Sequence, residues 1–306
     1  MNLYLPIAEL SANLFVLLAL GGGIGMLSGI FGVGGGFLLT PLLMFMGVPA
    51  PVAVGTGANQ IIASSVSGAL AHWRRGNVDL TMGGVLLAGG LVGSGLGVVL
   101  FRLLGEIGQI DLAIRLCYVL FLGLIGALML VESVNALRRR RTRTGGRRLH
   151  QHNFLHGLPF KMRFRRSKLY ISALLPLMVG FLVGILSAVM GVGGGFVMVP
   201  AMIYLLGMPT QVVIGTSLFQ IIFVGANATF LQAYANQTVD IALTLILVIG
   251  GVLGAQLGAR IGAKLRGEQL RGLLALLVLS VAGKIGYELL IRPGDLYSLT
   301  EIPLLR

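Results

Sequence analysis

Two matched glycine-rich runs are the first candidates for chemistry in this sequence. They are Gly32–Gly36 and Gly191–Gly195, and each lies between apolar segments. Because glycine costs a helix about 1 kcal/mol relative to alanine, each run predicts a break, with the helix resuming at Phe37 or Phe196. A helix that begins inside a protein presents free N–H groups and the positive end of its dipole, which suits a small anion.

Glycines can also serve simply to let helices cross closely, and this alternative stays open for both runs. Such close packing is the role we expect for the ladder Gly250, Gly254, Gly258 and Gly262.

Matched polar pairs follow the two glycine runs. Thr56 and Gln60 are four residues apart, as are Thr216 and Gln220, so each pair is predicted to share one helical face. Polar groups at membrane depth must face protein, ligand or water, because lipid cannot satisfy them. They form either structural hydrogen bonds between helices or the lining of a central pathway, and their recurrence beside the breaks favours the lining.

Carboxylates are absent from the middle of every predicted apolar segment. Asp79 and Asp240 precede helices and are predicted N-caps. Lys284 is the one base well inside an apolar run, and we expect a structural role with Glu288, four residues on, as its main contact; a counter-charge for the substrate is the alternative. Hydroxyls, amides and helix N-termini suit an anion better than a cation or a proton relay.

The elements that must position these groups are membrane helices. Of 306 residues, 56% are hydrophobic and 11% charged, and the mean hydropathy is +0.93, which excludes a soluble globule. The fold class predicted is an all-α integral membrane protein, with about eight spans in two four-helix pseudo-repeats, each with a glycine-rich helix break. The spans are 13–31, 52–72, 80–104, 112–137, 169–190, 210–234, 241–265 and 270–291.

The repeat is visible from the glycine runs onward, at an offset of 159 to 161 residues. We divide the chain into a first transmembrane repeat over 1–137, a basic linker over 138–168 and a second repeat over 169–306. An even number of crossings per half makes the halves parallel, whereas a separate crossing by each short piece after a break would invert them. The sequence favours the parallel arrangement.

The net charge of +13 is concentrated in the linker. Twelve of the 23 Lys and Arg residues lie between Arg138 and Lys168, with no acid among them, which predicts a cytoplasmic loop with both chain termini on the same side. Recognition of anionic lipid is the alternative, and no nucleic-acid partner is expected. His150, His152 and His156 lack ligand companions, so no metal is expected. No cofactor or enzymatic motif is found, which leaves the lipid bilayer, a small anion and a second copy of the chain as partners.

The doubled motif G-x-G-G-G-F-x-x-x-P, with later G-x-P and G-T and a Gln four residues past the Thr, resembles the sulfite exporter TauE/SafE family of permeases. The resemblance covers about Gly25 to Leu290. It implies an inner-membrane exporter of sulfite, sulfoacetate or related organosulfur oxyanions. The substrate region it implies consists of Gly34, Gly35, Gly36, Thr56, Asn59 and Gln60 in the first half, and of Gly193, Gly194, Gly195, Thr216 and Gln220 in the second.

The second half departs from the first at one of these positions, because Phe219 stands where the first half has Asn59.

From the residues and the resemblance together, the function predicted is a secondary transporter of small anions, and no enzymatic activity is expected. A passive anion or solute channel and a membrane scaffold without transport are the alternatives.

Overall fold

The computed structural model describes residues 2–31, 36–141, 160–262 and 267–291. Within these ranges the chain forms ten α-helices and two short β-hairpins. The first half contains β1 (Asn2–Leu5), β2 (Leu10–Asn13), α1 (Leu14–Phe31), α2 (Gly36–Phe45), α3 (Ala50–Arg74), α4 (Leu80–Glu106) and α5 (Ile110–Arg141). The second half contains β3 (Lys161–Phe164), β4 (Leu169–Ser172), α6 (Leu174–Met190), α7 (Gly195–Tyr204), α8 (Thr210–Leu231), a π-helical turn (Gln232–Asn236), α9 (Ile241–Gly262) and α10 (Gly267–Leu290).

The helices make this an all-α membrane protein. Five are long and apolar enough to cross a bilayer, over Leu80–Glu106, Ile110–Val131, Val212–Asn236, Ile241–Gly258 and Gly272–Leu290. The sequence predicted eight spans. Helices α1 and α6 are apolar over the shorter described stretches Leu14–Ser28 and Leu174–Met190, and α3 is long but carries the polar face described above, so these three helices are not among the five.

Glycines bring helices of the two halves into direct contact. Helix α1 packs along α9, where Gly254 faces Gly22, and α4 packs along α6, where Gly93 faces Phe181. A methyl group at Gly93 would lie 2.8 Å from the carbonyl carbon of Phe181, so only glycine fits this crossing. The close-packing role predicted for Gly250, Gly254 and Gly258 is confirmed, since each faces the backbone of α1.

The directions of the helices differ from the sequence prediction. Gly68 of α3 faces Leu218 of α8 and Gly225 of α8 faces Ile62 of α3, so these two helices are antiparallel. Helices α5 and α10 are antiparallel as well, because Gly126 faces Leu279 while Val119 lies nearest Gly286. In two parallel halves both pairs would run in the same direction, so the preference for parallel halves was wrong.

The reason lies in the short helices that follow the breaks. An α-helix of ten residues is about 15 Å long, half the thickness of the hydrocarbon core. Gly47, just after α2, lies beside Leu10 of the hairpin that precedes α1. The pair α1–α2 therefore starts and ends at the same end of the bundle and adds no net crossing.

The two hairpins are features that the sequence analysis missed. Strand β1 pairs antiparallel with β2, and β3 pairs antiparallel with β4. The second hairpin takes up 161–168, which had been assigned to the basic linker, and α5 extends through Arg141 into the same tract. His150, His152 and His156 lie outside the described residues.

Each hairpin is tied to a helix of the opposite half. Asp79 caps α4, with its Oδ1 accepting from the N–H of Met82 at 3.1 Å, and its Oδ2 accepts from the N–H of Ser167 in the β3–β4 turn at 2.9 Å. Asp240 precedes α9, and its Oδ2 accepts from the N–H of Ile7 in the β1–β2 turn at 3.1 Å. The capping roles predicted for both aspartates are confirmed.

The hairpins lie at opposite ends of the bundle. The start of α3 is next to Asp240, since Gly55 faces Thr238. The other end of α3 is next to the second hairpin, because Arg166 donates a hydrogen bond to the carbonyl of Gly76. The second hairpin, which contains the last residues of the linker, and the N-terminal hairpin are thus on different sides of the bundle. This is contrary to the prediction that both chain termini share the side of the linker.

Candidate functional site

The second glycine run forms the helix break that its sequence predicts. Helix α6 ends at Gly191, and Gly191, Gly193 and Gly194 all have positive φ, at 67°, 67° and 74°. Such a backbone is strained for residues with a side chain, which explains the glycines. Helix α7 then begins at Gly195, one residue before the predicted restart at Phe196.

The start of α7 lies against the start of α2 in the interior of the bundle. The rings of Phe37 and Phe196 stack with their centroids 4.5 Å apart, and both side chains are buried. A Cβ at Gly36, the first residue of α2, would lie 3.3 Å from the carbonyl oxygen of Val192. The two predicted helix restarts therefore meet. Gly34 and Gly35 lie outside the described residues.

Polar groups at the start of α7 have no side-chain partner among the described residues. Its N-cap residue, Gly194, has no side chain to cap the helix, and the first N–H groups of any helix lack intrahelical acceptors. Beside Gly194 lies Ser187, which is 2% exposed and whose Oγ has no hydrogen-bond partner among the described residues. The sequence analysis missed Ser187, although Ser28 stands at the matching position of the first half.

The two threonines of the candidate site hold helix starts. Thr56 Oγ1 accepts from the N–H of Asp240 at 3.1 Å, and Thr216 Oγ1 accepts from the N–H of Asp79 at 3.1 Å. Both threonines are fully buried. Their visible contacts are thus the structural hydrogen bonds that the sequence analysis weighed as an alternative to a pathway lining.

The two glutamines lie at two separate helix crossings. Gln60 Nε2 donates to the carbonyl of Gly21 in α1 at 3.1 Å, where α1 meets α9. Gln220 Nε2 donates to the carbonyl of Leu86 in α4 at 3.4 Å, where α4 meets α6. The shared face predicted for each Thr–Gln pair is confirmed, because Thr56 and Gln60 both contact α9 or its cap, at Asp240 and at Gly251.

At the position where the two halves differ, both Asn59 and Phe219 make contacts within the protein. Asn59 Nδ2 donates to the carbonyl of Gly55 in its own helix, with the atoms 3.5 Å apart. Its counterpart Phe219 packs against Trp73, with ring centroids 6.5 Å apart, and against Phe223. No described contact links Asn59 to the helix breaks.

Lys284 has the neighbour that the sequence predicted. Its Nζ lies 4.0 Å from Glu288 Oε1 and 3.7 Å from the centre of the Phe45 ring, and Arg115 Nη1 lies 3.5 Å from Glu288 Oε2. These partly exposed charges, two cations and one carboxylate, pair with one another and leave a net charge of +1. It lies away from the helix starts at Gly36 and Gly195.

The described break thus combines the start of α7, the adjoining start of α2 and a buried hydroxyl with apolar walls, while the two buried amides lie at the neighbouring helix crossings. The described residues contain no group of three or more potential metal ligands among His, Cys, Asp and Glu. Donors of this kind bind a small anion without forming a covalent bond to it. The fold and site define a multi-pass membrane protein with a broken helix whose restart faces the protein interior.

The comparisons with known proteins assign the chain to a family of this class. The family model for the sulfite exporter TauE/SafE matches residues 17–285, which is most of the chain. The protein belongs to the TauE/SafE family of membrane transporters.

Curated relatives agree with this assignment. A probable membrane transporter protein of Xylella fastidiosa (strain 9a5c) is 30% identical over 248 residues, covering 78% of this chain and 81% of the relative. The probable membrane transporter protein YjnA of Bacillus subtilis (strain 168) is 27% identical over 232 residues, covering 75% and 82%. No solved structure matches the chain.

Proposed function

We propose that the protein is a secondary transporter that exports small anions of the sulfite, sulfoacetate or related organosulfur type. One observation carries this proposal: the start of α7 lies next to the start of α2, and within the described part of the chain no side chain caps it and the Ser187 hydroxyl beside it has no hydrogen-bond partner. Half-helix N-termini that point at an anionic group are a recurrent feature of transporter substrate sites. The family of the chain supports the same class of function.

The charges of the chain support an anion over a cation. The buried carboxylates among the described residues, Asp79 and Asp240, are fully engaged at helix starts and hairpin turns. At the described break the polar groups are the Ser187 hydroxyl and the first backbone N–H groups of α7. Export of an anion needs no carboxylate relay, because an inside-negative potential favours it by about 2.3 kcal/mol per charge per 100 mV.

We further propose that the two halves are inverted repeats. Each half would cross three times, with α3–α5 or α8–α10, and would contribute one broken pair, α1–α2 or α6–α7, that returns to its starting side. The antiparallel directions of α3 and α8 support this arrangement. The crossed contacts of Asp79 with Thr216 and of Asp240 with Thr56 support it as well, since they repeat one interaction in both halves.

The distribution of positive charge gives the orientation that fits this arrangement. The end of α3, the end of α5, the β3–β4 hairpin, the end of α9 and the start of α10 belong to one end of the bundle. Together with the segments that connect them in the sequence, they account for 18 of the 23 Lys and Arg residues. We propose that this end is cytoplasmic in the bacterial inner membrane, with the N-terminal hairpin on the other side.

Reconstitution in liposomes tests the function. Vesicles that contain the protein and an imposed membrane potential are expected to release sulfite or sulfoacetate faster than protein-free vesicles. Equal rates in the two preparations would exclude the proposal. Unlabelled anion on the opposite side should accelerate release, because a carrier shows this trans-stimulation whereas a passive channel does not.

A scaffold without transport makes a different prediction. It requires that Gln60→Ala and Gln220→Ala leave the cellular phenotype intact while Gly254→Leu, which disrupts the contact between α9 and α1, abolishes it. The transporter predicts loss of flux for all three variants. Possible homo-oligomers of the chain are compatible with either function.

A further inference from the structure

We propose that Gln60 and Gln220 each accept a hydrogen bond from the transported anion, so that the protein selects oxyanions that carry an O–H donor. The proposal rests on the anion transport proposed above and narrows its substrates. Hydrogen sulfite and hydroxylated sulfonates would be favoured over anions of the same charge without a hydroxyl, and over the sulfoacetate dianion.

The first observation is a matched pair of unpartnered amide oxygens. Gln60 and Gln220 are 4% and 3% exposed. In both, the side-chain Oε1 is buried and has no hydrogen-bond donor among the described residues. A buried carbonyl oxygen without a donor loses the hydrogen bonds it made to water, so its recurrence at matching positions of both halves indicates a donor that the described residues do not supply.

The orientation of each amide is determined by its surroundings. The Nε2 of Gln60 lies against the carbonyl oxygen of Gly21, and the Nε2 of Gln220 lies against that of Leu86. Rotating either amide by 180° would place two oxygens against each other and lose this hydrogen bond. The nitrogen is therefore held by the protein, and the oxygen is the atom left for a partner.

These oxygens differ from the other buried polar atoms that lack a partner. The remaining seven among the described residues are six Ser or Thr hydroxyls and the Nδ1 of His72. A hydroxyl can rotate to donate or accept, so its lack of a partner does not determine which kind of group completes it. An amide oxygen can only accept a hydrogen bond, so its missing partner must be a hydrogen-bond donor or a cation.

The glutamines are connected to the helix breaks by the residues that follow them. Ile61 lies next to Gly36, and a Cβ at Gly193 would lie 3.0 Å from Ile61 Cγ2 and 3.2 Å from Ile221 Cγ2. Gln60 and Gln220 directly precede these two isoleucines in α3 and α8, so the two amides lie at the depth of the break and on an adjacent face of each helix. We place the anion between the helix starts and these two amides.

A matched pair of substrates tests the donor requirement directly. The probes are 2-hydroxyethanesulfonate and ethanesulfonate, both monoanions whose charge does not change near neutral pH and which differ by one hydroxyl group. Flux of each radiolabelled anion is measured into liposomes that contain the full chain. The hydroxylated anion should be transported about tenfold better, the discrimination given by one hydrogen bond to a buried acceptor.

Substitutions of the two glutamines test whether their amide oxygens cause the preference for the hydroxylated anion. Gln60→Met and Gln220→Met keep the side-chain length and remove the acceptor, so each should reduce the preference for the hydroxylated anion severalfold. The matched control is Ser280→Ala, because Ser280 donates only to Leu277 within the exposed face of α10. It should keep the wild-type preference.

The outcomes separate this inference from the proposed function. Equal transport of the two anions by the wild-type protein would overturn the donor requirement and leave anion transport intact. Sodium-dependent flux without a preference for the hydroxylated anion would also overturn the donor requirement, because the amide oxygens would then bind Na⁺. Absence of flux for both anions and for sulfite would refute anion transport itself.

Discussion

Gly93 and Gly95 lie two residues apart in α4, and the structure predicts opposite effects for the same substitution at the two positions. A methyl group at Gly93 would lie 2.8 Å from the carbonyl carbon and 3.0 Å from the Cα of Phe181 in α6. A methyl group at Gly95 meets nothing within 4 Å. Gly93→Ala is therefore predicted to destabilise the protein, and Gly95→Ala to stabilise it.

The magnitudes follow from these distances. Ordinary van der Waals contact begins at 3.4 Å, so Gly93→Ala forces α4 and α6 apart by at least about 0.6 Å at the carbonyl carbon of Phe181, and by more at its carbonyl oxygen, which lies closer still and belongs to backbone that cannot rotate away. Overpacking of this kind costs about 1–3 kcal/mol, and the higher helix propensity of alanine returns up to about 1 kcal/mol. For Gly95→Ala only the gain remains, so the two variants should differ by roughly 2 kcal/mol in unfolding free energy.

Thermal unfolding of the purified protein in one detergent measures this difference. Gly93→Ala should lower Tm by several degrees, while Gly95→Ala leaves it unchanged or raises it. If both variants shift Tm equally, or if Gly93→Ala is the more stable of the two, the close crossing of α4 and α6 is incorrect.

Three further substitutions address the crossed hairpin contact, the break and the surface charges. Asp240→Asn retains an acceptor for capping but weakens the hydrogen bond from Ile7, and it should cost about 1–3 kcal/mol in thermal unfolding. Tyr118→Phe removes the 2.7 Å hydrogen bond to the carbonyl of Met190 at the end of α6 and should cost about 1 kcal/mol, with a larger relative loss of anion flux. Glu288→Gln weakens only partly exposed ion pairs and should change Tm by less than a degree or two; a larger drop than for Asp240→Asn would contradict this ranking.

The sequence contains enough to locate the breaks and the helix caps. Glycine runs and Asp residues act through the local backbone, so their effects at Gly191–Gly195, Asp79 and Asp240 could be predicted without knowing what packs around them. The common face of Thr56 and Gln60 could be predicted for the same reason, because it depends only on helical periodicity.

The arrangement of the helices could not be predicted in this way. Hydropathy reports whether a segment is apolar, but the return of α2 to the end where α1 began depends on its ten-residue length and on packing against Leu10. The four-residue strands are too short for a pattern to distinguish them from loops. Ser187 was missed because a hydroxyl without a partner can be recognised only when all of its neighbours are known.

The central claim, that an anion binds at the start of α7, is tested most directly by sulfite counterflow in liposomes with Ser187→Ala. The Ser187 hydroxyl has no partner among the described residues, so its removal should leave Tm unchanged. A hydrogen bond to a charged ligand is worth about 1.5 kcal/mol or more, so counterflow should fall about tenfold, while Ser280→Ala keeps the wild-type rate. Wild-type counterflow in Ser187→Ala would contradict the claim.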